Sequence, residues 1–306
     1  MPGVKVLLTA HTAPFNEEVA MAPPSPVVAR WDLGRRLREQ RELLGLTGAA
    51  AGKPVGLSAT FLSDVENGKK NLPEDKLDAL ITAYEFDVDA ATELRALRAE
   101  CGQRGWWSKF NALFSAEILR FFGYEHGADA ILTFDSSFVS GLLQTRDYAR
   151  AGIEAASAYV RLAEADRRVE VRMIRQRRLT GDEPLHLTAV MSEAAVRQQI
   201  GGPAVLVAQL RHLITMIEEH PDTLEVRIVP FSSPGHPALG GSFQLLTFAS
   251  PTLPTLAWLE TVTSTELIDD AIRVAEYSLA HAGALEASLS RRDTLALIKQ
   301  VAEEIS

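Results

Sequence analysis

The stretch SATFLSDVENGKK, residues 58–70, carries side chains whose types and spacing suit contact with DNA. Ser58 is typical of the residue that caps the first turn of a helix, and Gly68 is typical of the residue that ends one. One helical face between them is apolar and is predicted to point inward: Phe61, Leu62 and Val65. The opposite face is small and polar and is followed by two lysines, so this helix could enter the major groove of a duplex.

The outward side chains of this stretch are the candidate DNA contacts. Thr60 and Asp64 are expected to face base edges, where Asp64 could accept a hydrogen bond from a cytosine amino group. Lys69 and Lys70 follow the helix and are expected to bind phosphates. Ala59 is expected to lie beside a thymine methyl group or simply to make room. The full set of candidates is Thr47, Ser58, Ala59, Thr60, Ser63, Asp64, Asn67, Lys69 and Lys70.

The elements that must hold this helix lie on both sides of it. A first helix is predicted from residue 31 up to Gly45, which stops it, and leucines recur on one of its faces. Thr47 would cap a short second helix, which Pro54 ends or distorts. Two further amphipathic helices, one over residues 77–81 and one over 89–99, complete an all-α unit of five helices. A helix, a tight turn and a second helix with a polar outer face form the layout of a helix-turn-helix.

The charge distribution restricts where DNA could bind. The whole chain has a net charge of -9, so a DNA-binding surface would have to be locally basic. Residues 30–72 contain eight basic and five acidic side chains, which gives +3 and fits that requirement. Cys101 is the single cysteine, which excludes a disulfide framework and a thiolate zinc cluster. No apolar run approaches the roughly 20 residues of a membrane span, so we expect a cytoplasmic protein without a membrane partner.

Composition divides the chain into four parts. Residues 1–29 are rich in proline and are predicted to be a flexible leader, within which Met21 is an alternative start. Residues 30–100 form the helix-turn-helix domain, residues 101–127 an aromatic connector, and residues 128–306 a mixed α/β domain. The predicted fold class is therefore α+β.

Short β-like runs alternate with helical stretches in the last of these parts. The chain is predicted to end in two helices, over residues 265–287 and 289–304. The runs that predict strands are 130–138, 185–191, 223–231, 242–250 and 255–261.

The N-terminal segment resembles the XRE family of repressor-like helix-turn-helix proteins, whose usual run is close to G-L-T-Q-x-x-L-A…G-V-S-x-x-x-I-S-x-x-E-x-G-x-R. The chain departs from it at Gly48, where a phosphate-binding glutamine is usual, at Ala51, where a core leucine is usual, and at Pro54. The resemblance also implies a pair between Arg41 and Glu66, which we interpret as a partly buried structural contact between the first and third helices. The matching residues are Gly45, Leu46, Thr47, Gly56, Leu57, Ser58, Ser63, Glu66 and Gly68.

The rest of the chain resembles the actinobacterial C-terminal domain of antitoxin-like, WhiJ-like transcriptional regulators. The blocks GLLQT-x-x-YA and RQ-x-x-L-T-G carry this resemblance, which extends over about residues 31–305. It implies a regulator that binds double-stranded DNA as a homodimer. It further implies a C-terminal domain that senses a small protein encoded nearby or a small-molecule ligand.

Two other classes of function stay open at this stage. The departures from the family pattern, together with Asp64, also fit a degenerate helix-turn-helix that serves only in protein contacts. Asp135, Glu193 and His236 could imitate a hydrolytic site, yet no GxSxG, HExxH or Walker motif is present and the histidines lack metal-ligand spacing. We therefore expect no enzyme, no metal and no cofactor.

Two conspicuous groups have a structural interpretation beside a functional one. Trp106 and Trp107 could stack on a ligand, but such a pair is more often core at a domain interface. The arginine-rich run 161–178 is interpreted as a solvated helix face with interleaved acids, the alternatives being a phosphate contact or a partner-binding face. An ordinary surface helix is likewise the plain alternative for residues 58–70.

Overall fold

The computed structural model describes residues 22–156 and 162–305, so most of the predicted leader lies outside the described residues. The first helix, α1, spans Pro26–Leu43, and the Ser25 hydroxyl accepts a hydrogen bond from the Val28 amide at its start. The predicted leader of 1–29 is therefore too long by the first turn of α1. Proline suits the first position of a helix, and the burial of Val27 and Ala29 holds this turn in place.

Four more helices complete the N-terminal domain, as predicted: α2 (Gly48–Gly52), α3 (Ala59–Glu66), α4 (Glu74–Ala83) and α5 (Val88–Cys101). The 3-10 turn Lys53–Val55 follows α2 directly, because Pro54 cannot continue an α-helix. Phe61 differs from its prediction, since it is only partly buried at the rim of the core. The centre of this core is made by Leu33, Leu37, Leu62, Val65, Leu77, Leu80 and Leu94.

The predicted connector, residues 101–127, is instead part of the C-terminal domain. It forms a 3-10 turn, Trp106–Phe110, and the helix α6, Ala116–His126. Trp107 and Phe121 are buried in the same core as the strands, so a boundary at residue 127 cuts through that core. The aromatic side chains explain the difference. Burying them in the core stabilises the folded protein, and a solvated linker would leave them exposed to water.

Six strands form the C-terminal sheet: β1 (Ala130–Asp135), β2 (His186–Ser192), β3 (Leu224–Val229), β4 (Phe243–Thr247), β5 (Leu256–Glu260) and β6 (Thr265–Ile268). Their order is β3-β2-β1-β4-β5-β6, with β1, β2 and β3 parallel and the other pairings antiparallel. The prediction of a helix from residue 265 was wrong over β6. The four residues of β6 are too few to show the alternation of apolar and polar side chains that indicates a strand. Their conformation is determined by pairing with β5.

Helices cover both faces of the sheet. They are α7 (Arg146–Ala156), α8 (Leu162–Gln176), α9 (Glu193–Arg197), α10 (Pro203–Glu219), α11 (Ala271–Glu286) and α12 (Arg291–Ile305). Side chains of α6, α8, α10 and α12 share one core with one face of the sheet. Val274 and Ala284 of α11 pack with Phe134 and Val190 on the opposite face. The fold is thus an N-terminal helical domain followed by a mixed α/β domain, as predicted.

Helix α1 belongs to both cores. Its residues Ala29, Leu33 and Leu37 are buried in the N-terminal core, whereas Val27 and Trp31 are buried in the C-terminal one. The Trp31 ring lies 5.6 Å from that of Tyr124 and 5.4 Å from that of Phe248, measured between centroids. A continuous helix with one end in each core joins the two domains without a flexible linker.

Candidate nucleic-acid interface

The surface that could meet DNA is built on α3. The Ser58 hydroxyl accepts a hydrogen bond from the Phe61 amide at 3.1 Å, which confirms the predicted cap. Gly68 ends the helix with φ +63°, and a Cβ there would lie 3.0 Å from the Trp31 Cα. Leu62 and Val65 are buried, so the opposite side of α3 is held outward. The side chains exposed on or beside it are Ser58, Ala59, Thr60, Ser63, Lys69 and Lys70.

Helix α2 lies close to α3 because Gly52 has no side chain. A Cβ at Gly52 would lie 2.6 Å from the Leu57 carbonyl oxygen. The Thr47 hydroxyl accepts from the Ala50 amide at 3.2 Å, which confirms its capping role. A Cβ at Gly48 would meet nothing within 4 Å, so no packing requires glycine there. The departure at Gly48 therefore removes a possible phosphate ligand without any visible structural gain.

The predicted pair between Arg41 and Glu66 is confirmed. Arg41 donates from Nε to Oε1 of Glu66 at 2.6 Å and from Nη2 to Oε2 at 2.9 Å. Arg41 also donates to the Leu46 carbonyl at 2.8 Å. The hydrogen bond to Glu66 raises the pKa of Arg41 above its ordinary value. The two side chains are only 12% and 6% exposed, so the pair fixes α3 against α1 from inside the domain.

Three predicted DNA contacts are engaged by neighbouring groups of the same chain. The Lys70 ammonium pairs with the Asp64 carboxylate at 2.8 Å, and this hydrogen bond lowers the pKa of Asp64. Asn67 donates to the Ser63 carbonyl at 2.6 Å, which turns its amide back along the helix. Lys69 is exposed, and within residues 22–156 and 162–305 no ion pair engages it. Lys69 is therefore the candidate phosphate contact that needs no rearrangement.

The basic side chains of α1 contribute little free positive charge. Arg35 pairs with Glu39, Arg36 with Asp32 and Glu93, and Arg38 with Glu42. The local excess of +3 therefore comes from the basic residues that these pairs leave over, which are Arg30, Lys53 and Lys69. Exposed Lys53, after α2, is a further cation that the sequence analysis did not select. Its signal was weak, since a lone lysine before a proline has many ordinary explanations.

The interpretation of residues 161–178 as a solvated face was wrong for several of its arginines. Arg175 makes a bidentate pair with Glu125 of α6, at 2.7 and 2.6 Å, and lies over the Phe122 ring. Arg172 donates to the Gln144 side chain at 2.7 Å, and burial lowers its pKa to about 10. These arginines share an inward helical face, because they stand at positions that recur every three to four residues. Arg161 lies outside the described residues.

A cavity of about 490 Å³ lies between the aromatic 3-10 turn, α6 and the segment after α8. Trp106 forms part of its wall and stacks on Phe122 with a centroid distance of 6.0 Å. Trp107 is 5% exposed and belongs to the core, so the two neighbouring tryptophans have different roles. The other lining residues are Pro23, Glu125, His126, Ile174, Arg175, Arg177, Arg178, Gly181, Asp182 and Glu183.

The three residues that could imitate a hydrolytic site lie at the carboxyl end of β1, directly after β2 and in the loop after β3, but each is engaged separately. Asp135 accepts from the Thr133 hydroxyl at 2.8 Å. Glu193 accepts from Arg197 and from the Phe231 amide, and the His236 ring packs against Phe134. In the part of the chain that the structure describes, no hydrogen bond joins the three to one another.

The described ranges contain no group of three or more histidine, cysteine, aspartate or glutamate side chains placed to hold a metal ion. Their helices include none of the length and apolar character needed to cross a membrane.

Comparison with known families agrees with this division of the molecule. A helix-turn-helix domain model matches residues 32–94. A second model, for a domain of unknown function called DUF5753, matches residues 118–300. The chain belongs to the DUF5753 family. The DUF5753 match begins inside α6 and ends inside α12, so it includes the whole sheet. Searches of curated proteins and of solved structures return no match.

Proposed function

We propose that this protein is a sequence-specific transcriptional regulator that binds duplex DNA through α3. The observation that supports the proposal is a capped helix with a buried apolar face and an exposed small, polar face, within a domain that matches a helix-turn-helix model. A helix of this kind fits the major groove, where base edges can be read. The protein would act in the cytoplasm, where its DNA target lies.

Binding to DNA as a homodimer is part of this proposal. Helix-turn-helix proteins read two half-sites about 34–36 Å apart, which takes two copies of the helix. With Arg35, Arg36 and Arg38 paired inside the chain, one domain offers few cations to phosphates. A second copy would double the contacts, so dimerisation has a larger share in affinity than it would in a more basic domain.

The proposed role of the DUF5753 domain is to sense a small molecule or a small protein encoded nearby, as in antitoxin-like regulators. The cavity beside Trp106 favours the small molecule, because its volume is in the range of ligand pockets, about 300–1,000 Å³. Its wall includes Pro23, two residues before the cap of α1, and α6, whose Gly123 carbonyl accepts from the Ser25 hydroxyl at 2.6 Å. A ligand in this cavity would contact the segment that leads into α1, the helix that is shared with the DNA-binding domain.

Cavity occupation can be tested by thermal unfolding in the presence of a metabolite library. Ligands that raise the midpoint for the wild type should fail to do so for Ile174→Trp, which fills the cavity with a larger side chain. A ligand that raises the midpoint of both proteins equally binds outside the cavity. If no metabolite of the library raises the midpoint of the wild type, a small partner protein becomes the favoured signal.

DNA binding can be tested by selection from random duplexes, followed by titrations at several salt concentrations. The wild type should enrich a motif, and Thr60→Ala should shift preference at one base pair by about 1–3 kcal/mol. Lys69→Ala should weaken binding to all sequences and reduce the salt slope by roughly one unit. Lys299→Ala is the matched control, because it removes an exposed lysine of the C-terminal domain.

The competing proposal is a degenerate helix-turn-helix that serves in protein contacts, and Gly48 and the Asp64–Lys70 pair favour it. It would be supported if the wild type enriches no motif and Lys69→Ala changes nothing. An enzymatic role is the least favoured, since Asp135, Glu193 and His236 are bound to separate partners.

A further inference from the structure

Four arginines gather where α1, the end of α5 and α6 meet, at the joint between the two domains. The side chain of Asn71 connects two of these elements, because it accepts a hydrogen bond from Arg30 at 2.6 Å and donates one to the Cys101 carbonyl at 3.3 Å. Arg98 donates to the Leu72 carbonyl in the same loop. These junction arginines are Arg30 of α1, Arg98 of α5, Arg104 in the segment after α5, and Arg120 of α6.

The hydrogen bonds of the junction arginines go only to neutral groups. Arg120 donates to the Tyr124 hydroxyl at 3.3 Å, just as Arg30 donates to an amide oxygen and Arg98 to a backbone carbonyl. Within residues 22–156 and 162–305, none of the four makes an ion pair. The arginines in the middle of α1 differ, since each of them pairs with a carboxylate. A neutral partner satisfies a hydrogen bond but leaves the charge of the guanidinium uncompensated.

The charges of the junction arginines act on one another. Burial lowers the pKa of Arg30, and the neighbouring Arg120 guanidinium acts in the same direction. Four arginines and exposed Lys69 outnumber the acids that act on this group or on its contact residues, in a chain whose net charge is -9. These acids are Glu100, Glu117 and Asp269. A local excess of positive charge of this kind attracts anions.

The junction arginines continue the surface that begins at Lys69. Lys69 opens the loop 69–72, in which Asn71 holds Arg30. Two residues of chain span at most about 7 Å, and exposed Arg104 follows shortly after the contact between Asn71 and the end of α5. One strand of a duplex carries a phosphate for about every 3.4 Å of the helix axis. A strand that meets Lys69 therefore has further phosphates within the distance that separates Lys69 from this group.

We propose that the junction arginines bind phosphates that flank the base pairs read by α3. Within the described ranges, Arg30, Arg98 and Arg120 each use one of the five N–H donors of a guanidinium in a hydrogen bond, so donors remain for a phosphate. Arg120 lies within the residues that match the DUF5753 model, so that domain contributes to the DNA interface itself. The inference rests on the proposed DNA-binding function and adds a sequence-independent contact to it.

Salt titrations of DNA binding by the full chain test this inference. The duplex is the motif that the wild type selects, with flanks of about ten base pairs, one helical turn, on each side. Arg104→Gln and Arg120→Gln should each reduce the salt slope by about one unit per bound chain, and the double variant should lose the sum. The loss should be equal for the motif and for a scrambled duplex, because phosphates carry no sequence information.

Arg95→Gln is the matched control. Arg95 lies on α5 one turn before Arg98, is exposed, and already pairs with Asp78, so its replacement should leave the salt slope unchanged. Arg104→Gln changes an exposed side chain and serves as the variant whose fold is not at risk. Unfolding midpoints should show that Arg120→Gln, which loses a bond to Tyr124, is still folded in the titration.

The length of the flanks tests where the arginines act. Trimming the duplex to the motif alone should lower the salt slope of the wild type toward that of the Arg104→Gln, Arg120→Gln double variant. The slope of the double variant should change less, because the phosphates that trimming removes are those it no longer binds. Equal changes in both proteins would show that the junction arginines do not contact the flanks, and would overturn the inference.

Failure of this inference differs from failure of the proposed function. If the wild type selects a motif and Lys69→Ala lowers the salt slope, while the double variant keeps the wild-type slope, only the inference is overturned. If the wild type selects no motif and binds no DNA, the proposed function fails and the inference fails with it. If inorganic pyrophosphate raises the unfolding midpoint of the wild type but not of the double variant, and both bind DNA equally, the arginines hold a small anion and the proposal is overturned.

Discussion

Each domain contains a bidentate arginine–glutamate pair that is largely buried, yet only one of the two pairs is visible in the sequence. Arg41 and Glu66 lie 25 residues apart and join α1 to α3. Arg175 and Glu125 lie 50 residues apart and join α8 to α6, with side chains 10% and 3% exposed. The first pair belongs to a compact motif, whereas strand β1 and helix α7 separate the partners of the second.

The two pairs also differ in what they hold. The pair in the N-terminal domain lies behind α3 and leaves its outer face free for DNA. Glu125 and Arg175 of the C-terminal pair both line the cavity beside Trp106. The same chemistry thus positions a binding helix in one domain and forms part of a candidate ligand site in the other. Breaking each pair separately should therefore have different consequences for stability and function.

The largest effect is expected from Glu125→Ala. It leaves the Arg175 guanidinium buried against Phe121 and Phe122 without its partner, and removing one member of a buried pair costs about 3–5 kcal/mol. Denaturant unfolding followed by tryptophan fluorescence would measure the loss. Lys299→Ala breaks an exposed pair with Glu218 and should cost less than about 1 kcal/mol. Equal, small losses in both variants would show that the buried pair does not stabilise the C-terminal core.

A slightly smaller effect, about 3 kcal/mol, is expected from Glu66→Ala, because the stranded Arg41 is somewhat more exposed and keeps its bond to the Leu46 carbonyl. Hydrogen exchange should locate the loss in residues 26–101, with α10 and α12 still protected. DNA affinity should fall more than stability alone explains, because α3 loses its orientation. If the backbone amides of both domains exchange faster in Glu66→Ala, the two domains unfold together. Helix α1 would then couple the two cores, although each core has its own arginine–glutamate pair.

The sequence predicted structural features correctly where the residues that determine them lie within one short segment. The caps at Thr47 and Ser58, the break at Pro54 and the Arg41–Glu66 contact all depend on residues within one helix-turn-helix. The five longer β-like runs became strands for the same reason, since each is a short and largely apolar run of its own.

It failed where distant residues decide the outcome. The arginines of α8 alternate with acids as on a solvated face, and only the position of α6 shows that Arg175 points inward. Strand β6 exists because β5 lies beside it, and α1 extends to Pro26 because Val27 finds a place against α6. The Asp64–Lys70 pair depends on how the chain turns after Gly68, which spacing alone does not give.

The two domains should also respond differently to pH. Burial raises the pKa of Asp135 from 3.8 to about 6, although Thr133 and Arg172 counteract this. The folded protein then binds this proton more tightly than the unfolded chain, so the contribution of Asp135 to stability should fall as pH rises from about 4 to 6 and stay low above that. Burial lowers the pKa values of His126, His212, His236 and His281, whose contributions rise with pH instead, so the Asp135 contribution is the difference between wild type and variant. Asp135→Asn should remove this fall and stabilise the protein at pH 7 by about 2–3 kcal/mol.

The check is a set of unfolding curves between pH 4 and pH 8 for the wild type and Asp135→Asn. In the N-terminal domain the pKa values of Tyr84 and Cys101 are raised to about 12 and 11, and those of Arg36 and Arg41 are raised above the ordinary arginine value, so all four lie outside this range. Unfolding of that domain should therefore change little. A wild type and a variant with parallel pH curves would show that Asp135 is ionised in the folded protein at no cost.

The smallest effect concerns the joint between the domains, where Gly123 of α6 meets Val27 of α1. A Cβ at Gly123 would lie 2.3 Å from the Val27 Cγ2, so Gly123→Ala should cost about 1–3 kcal/mol through overpacking. Val27→Ala removes the Cγ2 contact but keeps the Val27 Cβ, 2.6 Å from the added Cβ, so the double variant should recover part of the loss and be somewhat more stable than the sum of the two single losses predicts. Denaturant midpoints of the four proteins give this coupling directly. If the losses in unfolding free energy of the two single variants simply add in the double variant, then residues 27 and 123 do not press on each other. Helices α1 and α6 would then be able to move apart, and the joint between the two domains would not be rigid.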